Sequence, residues 1–302
     1  MGFGAEAAGL KARVKYMYSE FFTMSDQPRP ASYLLPDTSI VMPCSAAKAV
    51  RTVVFVHGWG GSASSSWHQW QQLLHSSPNE RWSAWWNEAT LCFFNYQSRR
   101  FSISEHTDCL ARFLADNCLG QDSTEPLFLV GHSMGAVAIR QLVLDCCERK
   151  ESPYGLPAVL EVIPTAEIRL FAPAMLGFKP SGFLGYAVGA LLEIPLLRPW
   201  IAPALDANPI IRQLGPEHPS IKALQKRTEE MARRHGHPGL RAQIVFGEYE
   251  NVVERGRYIF DETARPIPDK DHNSVCKPNA RYLEPLQFVR YGTNYVVAAI
   301  AQ

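Results

Sequence analysis

The sequence predicts an α/β fold: a mostly parallel central sheet flanked by helices, with an inserted helical cap late in the chain. Three observations predict it. Apolar β-branched runs recur along the chain, helical patterns fall between them, and one gap between two runs is too long for an ordinary connection.

The elements follow in order. Residues 24–50 hold Pro28, Pro30, Pro36 and Pro43 between short extended stretches, and residues 1–50 are read as an N-terminal arm with edge strands. Residues 52–57, Thr-Val-Val-Phe-Val-His, form a continuous apolar run that stops at Gly58. Such a run suits a strand buried on both faces, as in a parallel sheet. Residues 91–96, 127–130, 168–172 and 243–246 look alike. Between them, residues 104–118 place Leu110, Phe113, Leu114 and Cys118 at helical spacing. Residues 134–148 are apolar around much of their circumference, as expected of a helix packed on a sheet. This alternation implies βαβ units with right-handed crossovers.

Residues 284–301 predict a closing helix: Pro285 suits its first turn, and Leu286, Val289, Val296, Val297 and Ile300 share a face. Gly292 interrupts it. Between Met175 and Leu240 the pattern breaks. Residues 181–201 are rich in Gly, Leu and Pro, and residues 221–235 are charged and helical. Residues 176–240 are therefore read as a cap over the sheet's C-terminal edge, with two ordinary surface helices as the alternative.

The chain has 302 residues, with 30 Lys plus Arg against 29 Asp plus Glu, so its net charge is 30 − 29 = +1. That balance argues against a nucleic-acid binder, which needs a basic face to displace counterions. With 46% hydrophobic and 20% charged residues, the chain is not of the disordered class. Residues 1–10 lack the apolar run of a secretory signal, and Glu6 stands where myristoylation needs Ser or Thr. No apolar run reaches the ~18 residues of a spanning helix; residues 183–197 come nearest and contain Gly185, Gly189, Glu193 and Pro195. Seven cysteines without CxxC spacing, and no N-x-S/T sequon, point to a reducing compartment, read as the cytoplasm.

The strongest motif is Gly131-His132-Ser133-Met134-Gly135. This G-x-S-x-G follows an expected strand and opens an expected helix, which is the context its mechanics demand. A sharp strand-to-helix turn would strain Ser133, expose its hydroxyl above the sheet, and leave no room for side chains two residues away. The new helix would bring its N-terminal amides to developing negative charge.

With these residues the chain resembles the α/β-hydrolase superfamily. More narrowly, it is similar to the lipase-like serine esterases, the group that includes GPI-inositol deacylases and serine-active-site proteins. The resemblance is carried by Val53-Val-Phe-Val-His-Gly-Trp-Gly-Gly61, Phe94-Asn-Tyr-Gln-Ser98, Leu129-Val-Gly-His-Ser-Met-Gly135, Gly247-Glu-Tyr-Glu-Asn-Val-Val253 and Asp271-His-Asn-Ser-Val-Cys-Lys-Pro278. It spans residues 50–280. The last segment is the most specific to the subgroup.

An α/β-hydrolase fold implies a chain order of serine, acid, histidine. One oxyanion donor is expected at the Met134 amide; by resemblance the other is the Trp59 amide, in a glycine-rich loop whose backbone can approach the substrate. That loop lacks the lysine of a phosphate loop. Of nine histidines, His272 lies late, in a polar loop, and is the expected base. His235 and His237 flank Gly236 and are weak evidence for metal. Glu250 is the expected acid, where the resembling families carry aspartate one methylene shorter; Glu248 and Asp261 are the alternatives.

The expected activity is hydrolysis of a carboxylic ester through an acyl-enzyme on Ser133, without cofactor or metal. An acyltransferase, thioesterase or amidase on the same machinery, and a non-catalytic binding protein of this fold, are the other readings. Trp67, Trp70, Trp82, Trp85 and Trp86 read first as core. Residues 183–197 could line an acyl pocket or touch a lipid surface. The expected partner is a small-molecule or lipid ester, and the near-zero charge suits a neutral, largely apolar one. Because Ser133, Glu250 and His272 spread along the chain, residues 51–302 are expected to form one catalytic domain.

Overall fold

Val53, Val54, Phe55 and Val56 are all fully buried, as an unbroken apolar run requires when helices cover both faces of its strand. In the computed structural model, the described residues are 32–295 except 36–37, 46–48, 78–79, 120–124, 149–156 and 180–211. Eight strands form one sheet: β1 (Tyr33–Leu34), β2 (Ile40–Met42), β3 (Arg51–Val56), β4 (Ala89–Phe94), β5 (Leu127–His132), β6 (Glu167–Phe171), β7 (Ala242–Val245) and β8 (Glu262–Thr263). Their spatial order is β1-β2-β4-β3-β5-β6-β7-β8. Pairing is antiparallel at β1–β2 and β2–β4 and parallel everywhere else. The chain steps from β3 to β4, then returns past β3 to lay down β5. At such a reversal the carboxyl ends of the strands open a crevice, where α/β sheets bind ligands.

The helices are α1 (Ala63–Ser76), α2 (Ala84–Asn87), α3 (Ile103–Asn117), α4 (Met134–Glu148), α5 (Pro157–Val162), α6 (Pro219–Arg234) and α7 (Glu284–Tyr291). Capping boxes start α1 at Ser62 with Ser65 and α3 at Ser102 with Glu105. Each satisfies two otherwise orphaned groups.

One face of the sheet is aromatic. The Phe55 ring lies 5.1, 4.9 and 4.8 Å from Trp67, Trp70 and Phe93. Trp67, Trp70 and Trp86 are fully buried, so these tryptophans are core. Trp82 and Trp85 pack against that core half-buried. On the other face α4 packs against α3, α5 and α6.

One expectation changes. The predicted helix over 284–301 stops at Tyr291, because Gly292 takes φ +65°. A glycine in that left-handed conformation ends helices at little steric cost. A single 3-10 turn follows to Asn294, and residues 296–302 lie outside the described residues. Within residues 176–240, read as a cap, α6 lies along α4, where Arg227 reaches Asp145 and Glu148. Residues 180–211 of the expected cap, and 1–31 of the arm, lie outside the described residues. Among the described residues no helix is long and apolar enough to cross a membrane.

Candidate active site

The turn from β5 into α4 carries Ser133 at φ +53°, a conformation that costs a non-glycine residue energy. The turn holds it there: the Ser133 amide donates to the Phe171 carbonyl at 3.1 Å, and the Ser133 carbonyl accepts from Ala174 at 3.1 Å and Ala136 at 3.2 Å. The flanking glycines are required by space. A Cβ on Gly131 would come within 2.9 Å of the Ala136 backbone, and one on Gly135 would collide with the carbonyls of Val56 and His57. Gly58 brings the loop after β3 against the serine, since its own Cβ would stand 2.9 Å from the Ser133 Cβ. Of the expected oxyanion donors, Met134 follows Ser133 in the chain and opens α4, and Trp59 follows Gly58 in the loop that meets the serine. The Gly60 amide donates to Ser98 Oγ at 2.9 Å, which ties this loop to the one after β4.

His272 and Glu250 come together. His272 Nδ1 lies 2.9 Å from Glu250 Oε2, and both side chains are buried. A carboxylate only accepts, so Nδ1 donates this bond, and in the neutral imidazole Nε2 then keeps its lone pair. Glu250 Oε1 accepts from the amides of Val252 at 2.8 Å and Val253 at 3.0 Å. Burial pushes the Glu250 carboxyl up, but the hydrogen bond and charge of His272, with those two amides, outweigh it and hold it below the usual range. The two loops are pinned by backbone: Glu248 N–H to Ile267 O at 2.9 Å and Tyr249 N–H to Lys270 O at 2.8 Å.

Glu248 is exposed and its carboxylate accepts from the Asp269 amide. Asp261 is buried 2.7 Å from Arg140 and also accepts from Ala242 and Tyr258 amides. Neither touches His272, so of the three acids Glu250 alone is joined to it.

His132 was not singled out by the sequence beyond its place in the motif. Its Nε2 lies 2.8 Å from the His272 carbonyl, and the two rings are 4.8 Å apart. The carbonyl accepts, so Nε2 donates. Burial, and then the neighbouring His272, lower the His132 pKa to about 3, which keeps the ring neutral. This bond ties the residue before Ser133 directly to His272. A second unforeseen tie is Trp70 Nε1, which donates to the Cys276 carbonyl at 2.6 Å. A motif's variable position and a core tryptophan give no sequence signal for such roles.

His57 stacks on Tyr96 with centroids 4.2 Å apart, and burial lowers its pKa to about 4. His235 and His237 stack at 5.7 Å. Among the described residues no group of three or more His, Cys, Asp or Glu is arranged to hold a metal.

The Bacillus licheniformis lipase is similar in structure, at 16% identity in both of its forms. Its propeptide form gives a TM-score of 0.53 over 84% of this chain and 54% of that one. Its mature form gives 0.52 over 83% and 98%. The siderophore hydrolase of Aspergillus fumigatus gives 0.48 at 14% identity over 91% and 98%. This chain therefore spans about half of the lipase's propeptide form. No curated protein matches the chain. The alpha/beta hydrolase family matches residues 53–278, most of the sheet and every residue of the candidate site, and the chain belongs to that family.

Proposed function

We propose that the protein is a serine hydrolase that cleaves a carboxylic ester of a small molecule or lipid through an acyl-enzyme on Ser133. The carrying observation is the buried His272 Nδ1–Glu250 Oε2 hydrogen bond, tied through His132 to the strained Ser133 turn.

In this reading, His272 Nε2 takes the Ser133 hydroxyl proton as the oxygen attacks the ester carbonyl. Glu250 holds the imidazole in the competent tautomer and stabilises its positive form. The carbonyl oxygen gains negative charge and meets the amides of Met134 and Trp59. His272 returns the proton to the departing alkoxide, leaving an ester on Ser133. Water then attacks that ester, with His272 accepting its proton and passing it back to Ser133. Residues 183–197 are the sequence's candidate for acyl or lipid contact.

The test is a fluorophosphonate probe together with p-nitrophenyl ester turnover. The wild type should label stoichiometrically and turn over. Ser133→Ala should fold, fail to label, and lose at least about a thousandfold in rate. A folded Ser133→Ala with full turnover would reject the proposal.

A further inference from the structure

We infer that Tyr96 and Ser98 are positioning residues for the reaction: from the loop after β4 they clamp the loop after β3, so that the Trp59 amide is held where the carbonyl oxygen gains its charge. Their role rests on the proposed esterase reading and adds two residues to that same site. It also gives a use to Phe94-Asn-Tyr-Gln-Ser98, a segment of the sequence resemblance in which Ser133, His272 and Glu250 have no part.

Three side chains of this segment bond to the backbone of the loop between β3 and α1. The Tyr96 hydroxyl donates to the His57 carbonyl, at the loop's first residue. Ser98 Oγ accepts the Gly60 amide at 2.9 Å, in its middle. Asn95 Oδ1 accepts the Ala63 amide at 3.1 Å, where α1 begins. The segment is itself anchored, since the Asn95 amide donates to Ser39 Oγ at 2.8 Å and its Nδ2 to Thr38 Oγ1 at 2.7 Å. The Tyr96 ring is held as well: it stacks on His57 at 4.2 Å and on Phe94 at 5.2 Å, and meets the His106 ring edge-on at 4.7 Å. Tyr96 and Ser98 are both buried. Burial raises the Tyr96 phenol above its usual range, so it stays a neutral donor.

The clamp acts on the direction of one N–H. The Gly58 carbonyl accepts from His57 Nδ1 at 2.8 Å and from the Gly61 amide at 3.2 Å. The Gly58–Trp59 peptide is trans, so that carbonyl and the Trp59 N–H point in opposite directions. Bonds on the carbonyl side therefore aim the Trp59 N–H. Tyr96 pins the carbonyl of the peptide before this one, and Ser98 pins the amide of the peptide after it. Restraint is needed because glycines stand on both sides of Trp59, and Gly60 takes φ +74°. An oxyanion donor is worth most when it is already in place as the charge develops.

The experiment measures kcat and KM on p-nitrophenyl butyrate, and the Ki of an alkyl trifluoromethyl ketone, with the full chain. Ser133 Oγ adds to the ketone carbon as His272 takes its proton, so the ketone oxygen becomes an oxyanion like that of the ester reaction. Tyr96→Phe keeps the stacked ring and loses only the hydroxyl; Ser98→Ala loses only Oγ. A shift of about 1 Å in a positioned group costs about a hundredfold. The double variant Tyr96→Phe/Ser98→Ala should therefore lose about tenfold or more in kcat, with KM within about twofold and circular dichroism unchanged. Its Ki should rise by the factor by which kcat/KM falls, because the ketone adduct mimics the transition state. Tyr96→Phe alone should lose about threefold or more in the same pattern, and it carries the test if the double variant fails to fold. A smaller loss in the folded variant overturns the clamp, as does a fall in kcat that leaves Ki unchanged. In either case an active wild type leaves the esterase reading standing. A wild type that neither turns over the ester nor labels with the fluorophosphonate overturns the esterase reading itself.

Discussion

Glu250→Gln is the sharpest probe of the site, because the carboxylate fills three acceptor roles. Oε1 accepts the Val252 and Val253 amides at 2.8 and 3.0 Å, and Oε2 accepts His272 Nδ1–H at 2.9 Å. Glutamine has one oxygen and one NH2 group. If the oxygen faces His272, the NH2 group confronts two amide donors. Each unsatisfied buried donor costs about 1–3 kcal/mol, so this orientation loses twice. If the oxygen keeps the two amides, the NH2 group faces Nδ1. Only one donor conflict then remains, and the imidazole relieves it by moving its proton to Nε2. That tautomer cannot accept the Ser133 proton. In the serine-histidine-aspartate template the corresponding loss is about 10⁴-fold, or roughly 5.5 kcal/mol at 1.36 kcal/mol per tenfold. The expected kcat/KM on p-nitrophenyl butyrate therefore falls by about 10³–10⁴ in Glu250→Gln. Fluorophosphonate labelling should slow in parallel, with circular dichroism unchanged. Glu250→Asp keeps the acceptors and should retain more activity than Glu250→Gln. A folded Glu250→Gln within tenfold of wild type would refute the reasoning.

Two further outcomes follow from buried partners. Asp261→Ala strands Arg140, whose Nη2 lies 2.7 Å from Asp261 with both side chains buried, and should cost about 3–5 kcal/mol of stability. Denaturant unfolding checks this, while kcat/KM of the folded variant should stay within a few-fold of wild type, because Asp261 has no contact with His272. His132→Phe removes the donor to the His272 carbonyl, 2.8 Å away, and should lower kcat about 10–100-fold with KM little changed. His132→Gln, which restores an N–H, should recover part of the loss; if phenylalanine and glutamine behave alike, the hydrogen bond does not position the base.

The parts legible in the sequence share one property: short-range pattern decides them. The five buried strands announced themselves as runs dominated by apolar residues, and the polar exception Arg169 in β6 is paired with Glu167. Ser133 was legible because its turn demands glycines at 131 and 135, and the collisions a Cβ would make there show why. Trp67, Trp70 and Trp86 read as core and are core, while Trp82 and Trp85 pack half-buried against it. The closing helix read as unbroken because Leu286 and Val289 continue in register to Val296 and Ile300, and periodicity outweighed the single Gly292 that ends α7 at Tyr291. The ties of Trp70 to Cys276, Arg140 to Asp261 and His132 to His272 span 206, 121 and 140 residues. No local pattern encodes a contact at such separation; only the sheet order brings those partners together.

The choice among three acids shows how geometry decides what composition leaves open. Glu248 and Glu250 both follow β7, and Asp261 lies close ahead of β8. After β7 the chain is held to the next loop by the amides of Glu248 and Tyr249, which turns Glu248 outward to solvent. Two residues on, Glu250 faces inward, and its side chain curls back so that Oε1 meets the amides of Val252 and Val253. That curl takes up the methylene by which glutamate exceeds aspartate, leaving Oε2 free to reach His272 Nδ1 at 2.9 Å. The hydrogen bond and charge of His272, joined by these two amides, outweigh burial and hold the carboxyl below its usual range. Glutamate here is thus no obstacle to holding the imidazole: its own loop supplies the two amides that fix the longer side chain.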